Sequence, residues 1–132
     1  PDADRGSHSF TYSFFPHRDS LIHSDVINEA SCLNQEPILF DGVVSGKVKI
    51  PVKLNGQGLE LSVLKKAEKE DAWIIRIIET HGRVSSGSIE LSGEIAECDL
   101  MEWKELSKRE MVSRSFKIKL NPFEIKTFKL LY

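Results

Sequence analysis

Along most of this chain, apolar and polar side chains alternate with a period of two, the signature of half-buried β-strands. The run Ser9–Phe15 opens the pattern. Phe10, Tyr12 and Phe14 share one side, Ser9, Thr11 and Ser13 the other, and Pro16 ends it. The period then changes. In "DSLIHSDVINEASCLNQ", Ile22, Val26, Ala30 and Leu33 recur at steps of four, four and three, the spacing of a single helix face. Ser20 or Ser24 is placed to cap this helix, and Pro37 stops it.

Strand patterns and turn signals fill the rest. "ILF" leads to a turn at Asp41-Gly42. In "KVKIPVKL", Val48, Ile50, Val52 and Leu54 are in phase against lysines, and Pro51 on the polar side argues for a sheet edge. Asn55-Gly56 predicts a hairpin turn, "LELSVL" a strand and "KKAEKED" a charged turn. "AWIIRIIET" is apolar on both faces except at Arg76, as suits a central strand covered on both sides. "HGR" turns the chain. Ile89, Leu91 and Ile95 alternate with Glu90, Ser92 and Glu94, and "SFKIKL" alternates through Phe116, Ile118 and Leu120. In "PFEIKTFKLLY", Phe123 and Ile125 are out of phase with Phe128 and Leu130, so a bulge or a change of sheet is predicted near Lys126–Thr127. The expected fold is all-β: an antiparallel β-sandwich with one helix between the first strands. The 132 residues suit one domain.

Composition changes this picture little. The chain is 40% hydrophobic with a net charge of -2, which gives no electrostatic reason to expect nucleic acid or an anionic membrane as partner. No apolar run approaches the ~18 residues of a membrane span. The two cysteines, Cys32 and Cys98, are far apart and form no CxxC pair. They are expected as buried or half-buried thiols in a reducing compartment. Asn28, Asn34, Asn55 and Asn121 all lack the hydroxyl of a glycosylation sequon, which adds to a cytoplasmic expectation.

Candidate chemistry is sparse. His8, His17, His23 and His81 show no metal-ligand spacing. Asp2/Asp4, Glu68/Glu70/Asp71 and Glu97/Asp99 are carboxylate groups set among charged or turn residues, where a solvated surface is expected. Glu79 ends the most apolar strand beside Arg76, placed for an ion pair or a structural hydrogen bond. "NGQG" at 55–58 is a turn and not a phosphate loop. Trp73 is expected in the core. Trp103, in "MEWKEL", is divided between packing and contact with a partner or sugar. From the residues alone the chain is a β-sandwich without a complete active site.

One longer motif adds to this. "DRGSHSFTYSFFPH" resembles a D-x-G-x-H-x-F-x-Y-(three residues)-PH signature in the C-terminal region of glycoside hydrolase family 38 α-mannosidases, here carried by Asp4, Gly6, His8, Phe10, Tyr12, Pro16 and His17. "VINEASCLNQEPI", the segment holding Arg76, Glu79 and Gly82, "AECDLMEWKEL" with Asp99, Leu100 and Glu102, and "NPFEIKTFKL" are similar to later stretches of the same region, in the same order. The match is nearest to the cytosolic/vacuolar branch and its bacterial relatives.

The resemblance implies a C-terminal piece of a much longer enzyme, consistent with an opening residue Pro1 in place of Met. It implies a zinc-dependent parent that cleaves terminal α-linked mannose with retention, its zinc and catalytic carboxylates lying in another domain. This chain alone is then expected to be inactive and to hold no cofactor. Its implied partners are the catalytic and middle domains of the same parent chain and, through them, a mannose-containing oligosaccharide. A homo-oligomeric parent and a cytoplasmic location, with a vacuolar or lysosomal alternative, go with it. Asp4, Arg5 and His8 are expected at the substrate rim. His17, Arg76, Glu79 and Trp103 are expected in structural or interface roles. Two other readings stand beside it: a carbohydrate-binding module using Trp103, which sugar titration would reveal, and an assembly domain, which solution mass would reveal.

Overall fold

A computed structural model of the chain describes residues 5–35, 38–39, 41–42 and 52–131. It divides into two compact units, Pro1–Gly42 and Val43–Tyr132.

In the first unit the helical pattern resolves into two pieces. A single 3-10 turn covers Leu21–His23, and helix α1 covers Val26–Asn34. The break between them falls at Ser24 and Asp25, residue types that satisfy backbone groups with their side chains and so interrupt helices. The Ser24 hydroxyl donates to the Leu21 carbonyl (3.0 Å). Ser20 precedes the 3-10 turn, and Asp25, not a serine, stands at the N-cap of α1. The strand expected at Ser9–Phe15 is not formed, and no residue of that run joins a sheet. None of the described residues of this unit is buried. Cys32 is exposed, against the expectation of a sheltered thiol. Pro37 and residues 43–51, including the strand pattern around Pro51, lie outside the described residues.

The second unit is the sandwich. Its strands are β1 Lys53–Asn55, β2 Leu59–Lys66, β3 Trp73–Glu79, β4 Ser85–Glu90, β5 Gly93–Cys98, β6 Glu110–Val112, β7 Ser115–Leu120 and β8 Ile125–Leu131. They form a three-stranded sheet in the order β1-β4-β7 and a five-stranded sheet in the order β2-β3-β8-β5-β6, with every pairing antiparallel. The mainly-β sandwich is therefore the observed fold, though among the described residues no strand precedes the helix.

The core lies between the sheets. Ile75, Ile77, Ile95, Phe128 and Leu130 from the larger sheet meet Ile89, Ile118 and Leu120 from the smaller. Phe116 and Phe128 bridge them edge to face, centroids 5.6 Å apart, the geometry favoured by ring quadrupoles. β3 has neighbours on both edges, as its apolar run predicts, and Ile74 on its other face is also fully buried.

Two expectations fail here for physical reasons. The turn around Asn55-Gly56 forms, but it joins no hairpin. β1 pairs with β4 and β2 with β3, so the turn carries the chain from one sheet to the other. Gly87 of β4 permits the close approach of β1, since a Cβ there would lie 2.2 Å from the Asn55 carbonyl oxygen. The bulge expected in β8 is absent, and Ile125–Leu130 pair with β3 in unbroken register. The phase change is absorbed differently: Phe123, at 71% exposure, sits in the preceding turn, and Ile125 faces away from the core. The bulge occurs in β2 instead, between Leu61 and Val63. There it lets Leu59, Leu61 and Leu64 all pack on the core despite their mismatched phase.

Candidate functional site

The outer face of the five-stranded sheet is covered by the β5–β6 connection, residues 99–109. Three side chains, Asp99, Arg76 and Lys65, fix it. The Asp99 carboxylate accepts the backbone N–H of Trp103 (2.9 Å) and Lys104 (3.3 Å). The Arg76 guanidinium donates to the Leu100 carbonyl (3.0 Å), the Glu102 carboxylate (3.2 Å) and the Thr127 hydroxyl (3.2 Å). Lys65 reaches the same Glu102 oxygen at 3.1 Å. Glu102 holds φ at 66°, a left-handed conformation uncommon outside glycine that this double cation clamp sustains.

Under the same face, Thr127, Lys129 and Cys98 are buried. Lys129 is paired with Glu70 from the β2–β3 turn, which makes its burial tolerable. Burial pushes the Cys98 thiol up to about 11, the pull of Lys129 acting the other way. A thiol held there is a poor nucleophile.

Between the β2–β3 turn and this connection lies a groove of about 270 Å³, lined by Lys65, Glu68, Lys69, Arg76, Met101 and Trp103 among others. Trp103 is 66% exposed, and the Lys69 ammonium lies 4.2 Å from its ring centroid. That cation–π contact occupies one ring face. The Arg76, Lys65 and Lys129 charges are likewise engaged with carboxylates.

Glu79 forms a second built feature, at the opposite end of β3. It is fully buried and accepts four hydrogen bonds: the N–H groups of His81 (3.0 Å), Gly82 (2.8 Å) and Phe123 (3.0 Å), and the Ser85 hydroxyl (3.0 Å). Burial alone would raise its pKa, but the donors outweigh it and hold the carboxyl down at about 2. Gly82 at φ 68° and Phe123 at φ 57° are the two turns this carboxylate ties together, and a Cβ on Gly82 would meet the Phe123 ring at 2.6 Å. An ionised carboxylate with its lone pairs committed is neither a general acid nor a free nucleophile. His81 beside it has a buried Nδ1 with no partner among the described residues.

The remaining predicted residues are not brought together. Arg5 and His8 lie exposed ahead of the Ser9–Phe15 run, and Asp4 lies outside the described residues. His17 Nδ1 donates to the Asp19 carbonyl (2.6 Å). Glu97 and Asp99, expected to be solvated, are half-buried, with Glu97 bound to Lys126 (3.1 Å). Among the described residues no group of three or more His, Cys, Asp or Glu side chains could hold a metal ion. These residues therefore do not fit zinc. Sequence reasoning missed Lys129 and Ser85, and it named Glu102 as a motif residue without a role. Lys129 falls at an outward position of an alternating strand, and its pairing with Glu70, fifty-nine positions away, is invisible in that alternation.

Residues 58–128 match the glycosyl hydrolases family 38 C-terminal beta sandwich domain. The chain belongs to this family. Those residues run from the corner that enters the five-stranded sheet to the midpoint of its middle strand, and include Glu79, Arg76 and the whole 99–109 connection. Among relatives of the family 38 chain, Alpha-mannosidase G of Dictyostelium discoideum is 33% identical over 97% of it. Alpha-mannosidase 2C1 of Mus musculus is 27% identical over 99% of it. The chain spans only 13% and 14% of the lengths of these two relatives. No described helix is long and apolar enough to cross a membrane.

Proposed function

We propose that this chain is the non-catalytic C-terminal domain of an α-mannosidase that removes terminal α-linked mannose with retention. The observation that carries the reading is the state of its carboxylates. Glu79 is consumed by four donors and Glu102 by two cations, so the sandwich's best-built acidic groups serve its own fold. Hydrolysis with retention needs two carboxyl groups facing each other about 5 Å apart across a sugar. In this reading the catalytic pair and the zinc belong to other domains of the parent, and the sandwich packs on them. Asp4, Arg5 and His8 lie at the leaving-group rim, where an acid, a guanidinium and an imidazole suit sugar hydroxyls.

The test is hydrolysis of an aryl α-mannoside by the parent protein and by this chain, each with and without a chelator. The parent is expected to turn over and to lose activity on chelation, and this chain is expected to be silent. Turnover by this chain would overturn the reading. Within the parent, His8→Ala is expected to lower kcat/KM while the protein stays folded, and unchanged kinetics would remove His8 from the rim.

A further inference from the structure

The first unit carries a segment that is a strand by sequence and has no sheet. Ser9–Phe14 alternates hydroxyl and aromatic residues over six positions, Phe15 adds a further aromatic, and no charge falls among them. None of its residues joins a ladder. Its two sides are nevertheless already distinct. Ser13 and Phe15 line a cavity of about 350 Å³ against Val26, Ala30 and Leu33 of α1. Phe10, Tyr12 and Phe14 alternate with these residues and are 82%, 84% and 88% exposed. Side chains of this kind bury roughly 150–250 Å² each when covered. Three in a row make an apolar stripe at the upper end of what a free-standing soluble domain exposes. Among the described residues the backbone of this run has no backbone hydrogen-bond partner, and such donors and acceptors beside an apolar stripe are a template for strand pairing.

We propose that Ser9–Phe15 becomes a β-strand by adding to the edge of a sheet in another part of the same parent polypeptide, its aromatic side packed on that sheet's apolar face. This rests on the reading of the chain as one domain of a longer enzyme. Two observations favour an occupant from the same polypeptide. Both relatives align over 97% and 99% of this chain, so they carry counterparts of the segment, inside proteins of which the chain covers only 13% and 14%. A covalently attached sheet also meets the segment at an effective concentration that a separate partner rarely reaches. The pairing would span roughly 23 Å at 3.3 Å per residue. It would also fix the position of Arg5 and His8, which precede it directly.

The test uses the full-length parent. Tyr12→p-benzoylphenylalanine is irradiated, the cross-linked peptides are mapped, and amide hydrogen exchange of residues 9–15 is followed in the unsubstituted protein. The expected result is a cross-link to residues of the same polypeptide outside this chain, with amides exchanging at least ~100-fold slower than an unstructured peptide. Thr11→Pro, which removes a donor, is expected to abolish that protection while Thr11→Val keeps it. A cross-link to a second molecule or to this chain's own residues would overturn the proposal, as would exchange at the unstructured rate. Mannoside hydrolysis is read on the same preparation. Loss of the enzyme reading would appear there alone and leave the cross-link result standing.

Discussion

Glu79 shows what a single carboxylate does when water is removed and donors replace it. Its folded pKa of about 2 lies below the ordinary value of 4.5, so the ionised form stabilises the fold. That contribution is complete above 4.5 and is lost as pH falls toward 2. Thermal unfolding of this chain across that window is expected to show declining stability. Glu79→Gln is expected to start about 2 kcal/mol lower, because an amide cannot accept all four bonds, and to decline less. Parallel curves for the two proteins would refute the assignment. The sequence placed Glu79 at the end of an apolar strand and named it a structural candidate. It could not name the partners, because Phe123 is forty-four positions away and meets it only when β8 has paired with β3.

At the scale of elements, the 99–109 connection behaves as a lid on the outer face of the larger sheet, and Arg76 is its anchor from below. Arg76→Ala removes the bonds to Leu100, Glu102 and Thr127 together and leaves Glu102 at φ 66° with only Lys65. Amide exchange of residues 99–106 is expected to accelerate at least ~10-fold, with the β3–β8 ladder unchanged. Equal acceleration in the ladder would mean that Arg76 supports the whole sheet. Strands with strict alternation were legible in the sequence, as in Ser115–Leu120. Where phase shifted, the sequence announced a problem without its solution. In β2 an extra residue realigns the leucines, whereas Phe123, in the turn before β8, and Ile125, its first residue, stay outside the core. Ser9–Phe15 reads as a strand and is none, because alternation supplies a face and pairing must come from a neighbour.

At the scale of the molecule, the two sheets have one core and therefore one fate. Phe128 stands in the larger sheet and touches Phe116 of the smaller. Phe128→Ala is expected to destabilise the sandwich by about 3–5 kcal/mol, with amides of both sheets losing protection at the same denaturant concentration. Separate transitions would show that each sheet stands alone. The sequence carried the sandwich class and the order of its motifs. It did not carry the partition of strands between sheets, since the turn at Asn55–Gly58 looks the same whether it closes a hairpin or changes layer.

The strand order has a consequence for synthesis. β8 is the middle strand of the larger sheet, yet it comes later in the sequence than the four strands it joins. Until the ribosome releases it, β2–β3 and β5–β6 exist only as separate ribbons, each marginal in water. Their unsatisfied edges are then open to aggregation or to a chaperone. A message that stopped at Asn121 would encode seven of the eight strands and still leave the larger sheet in two halves.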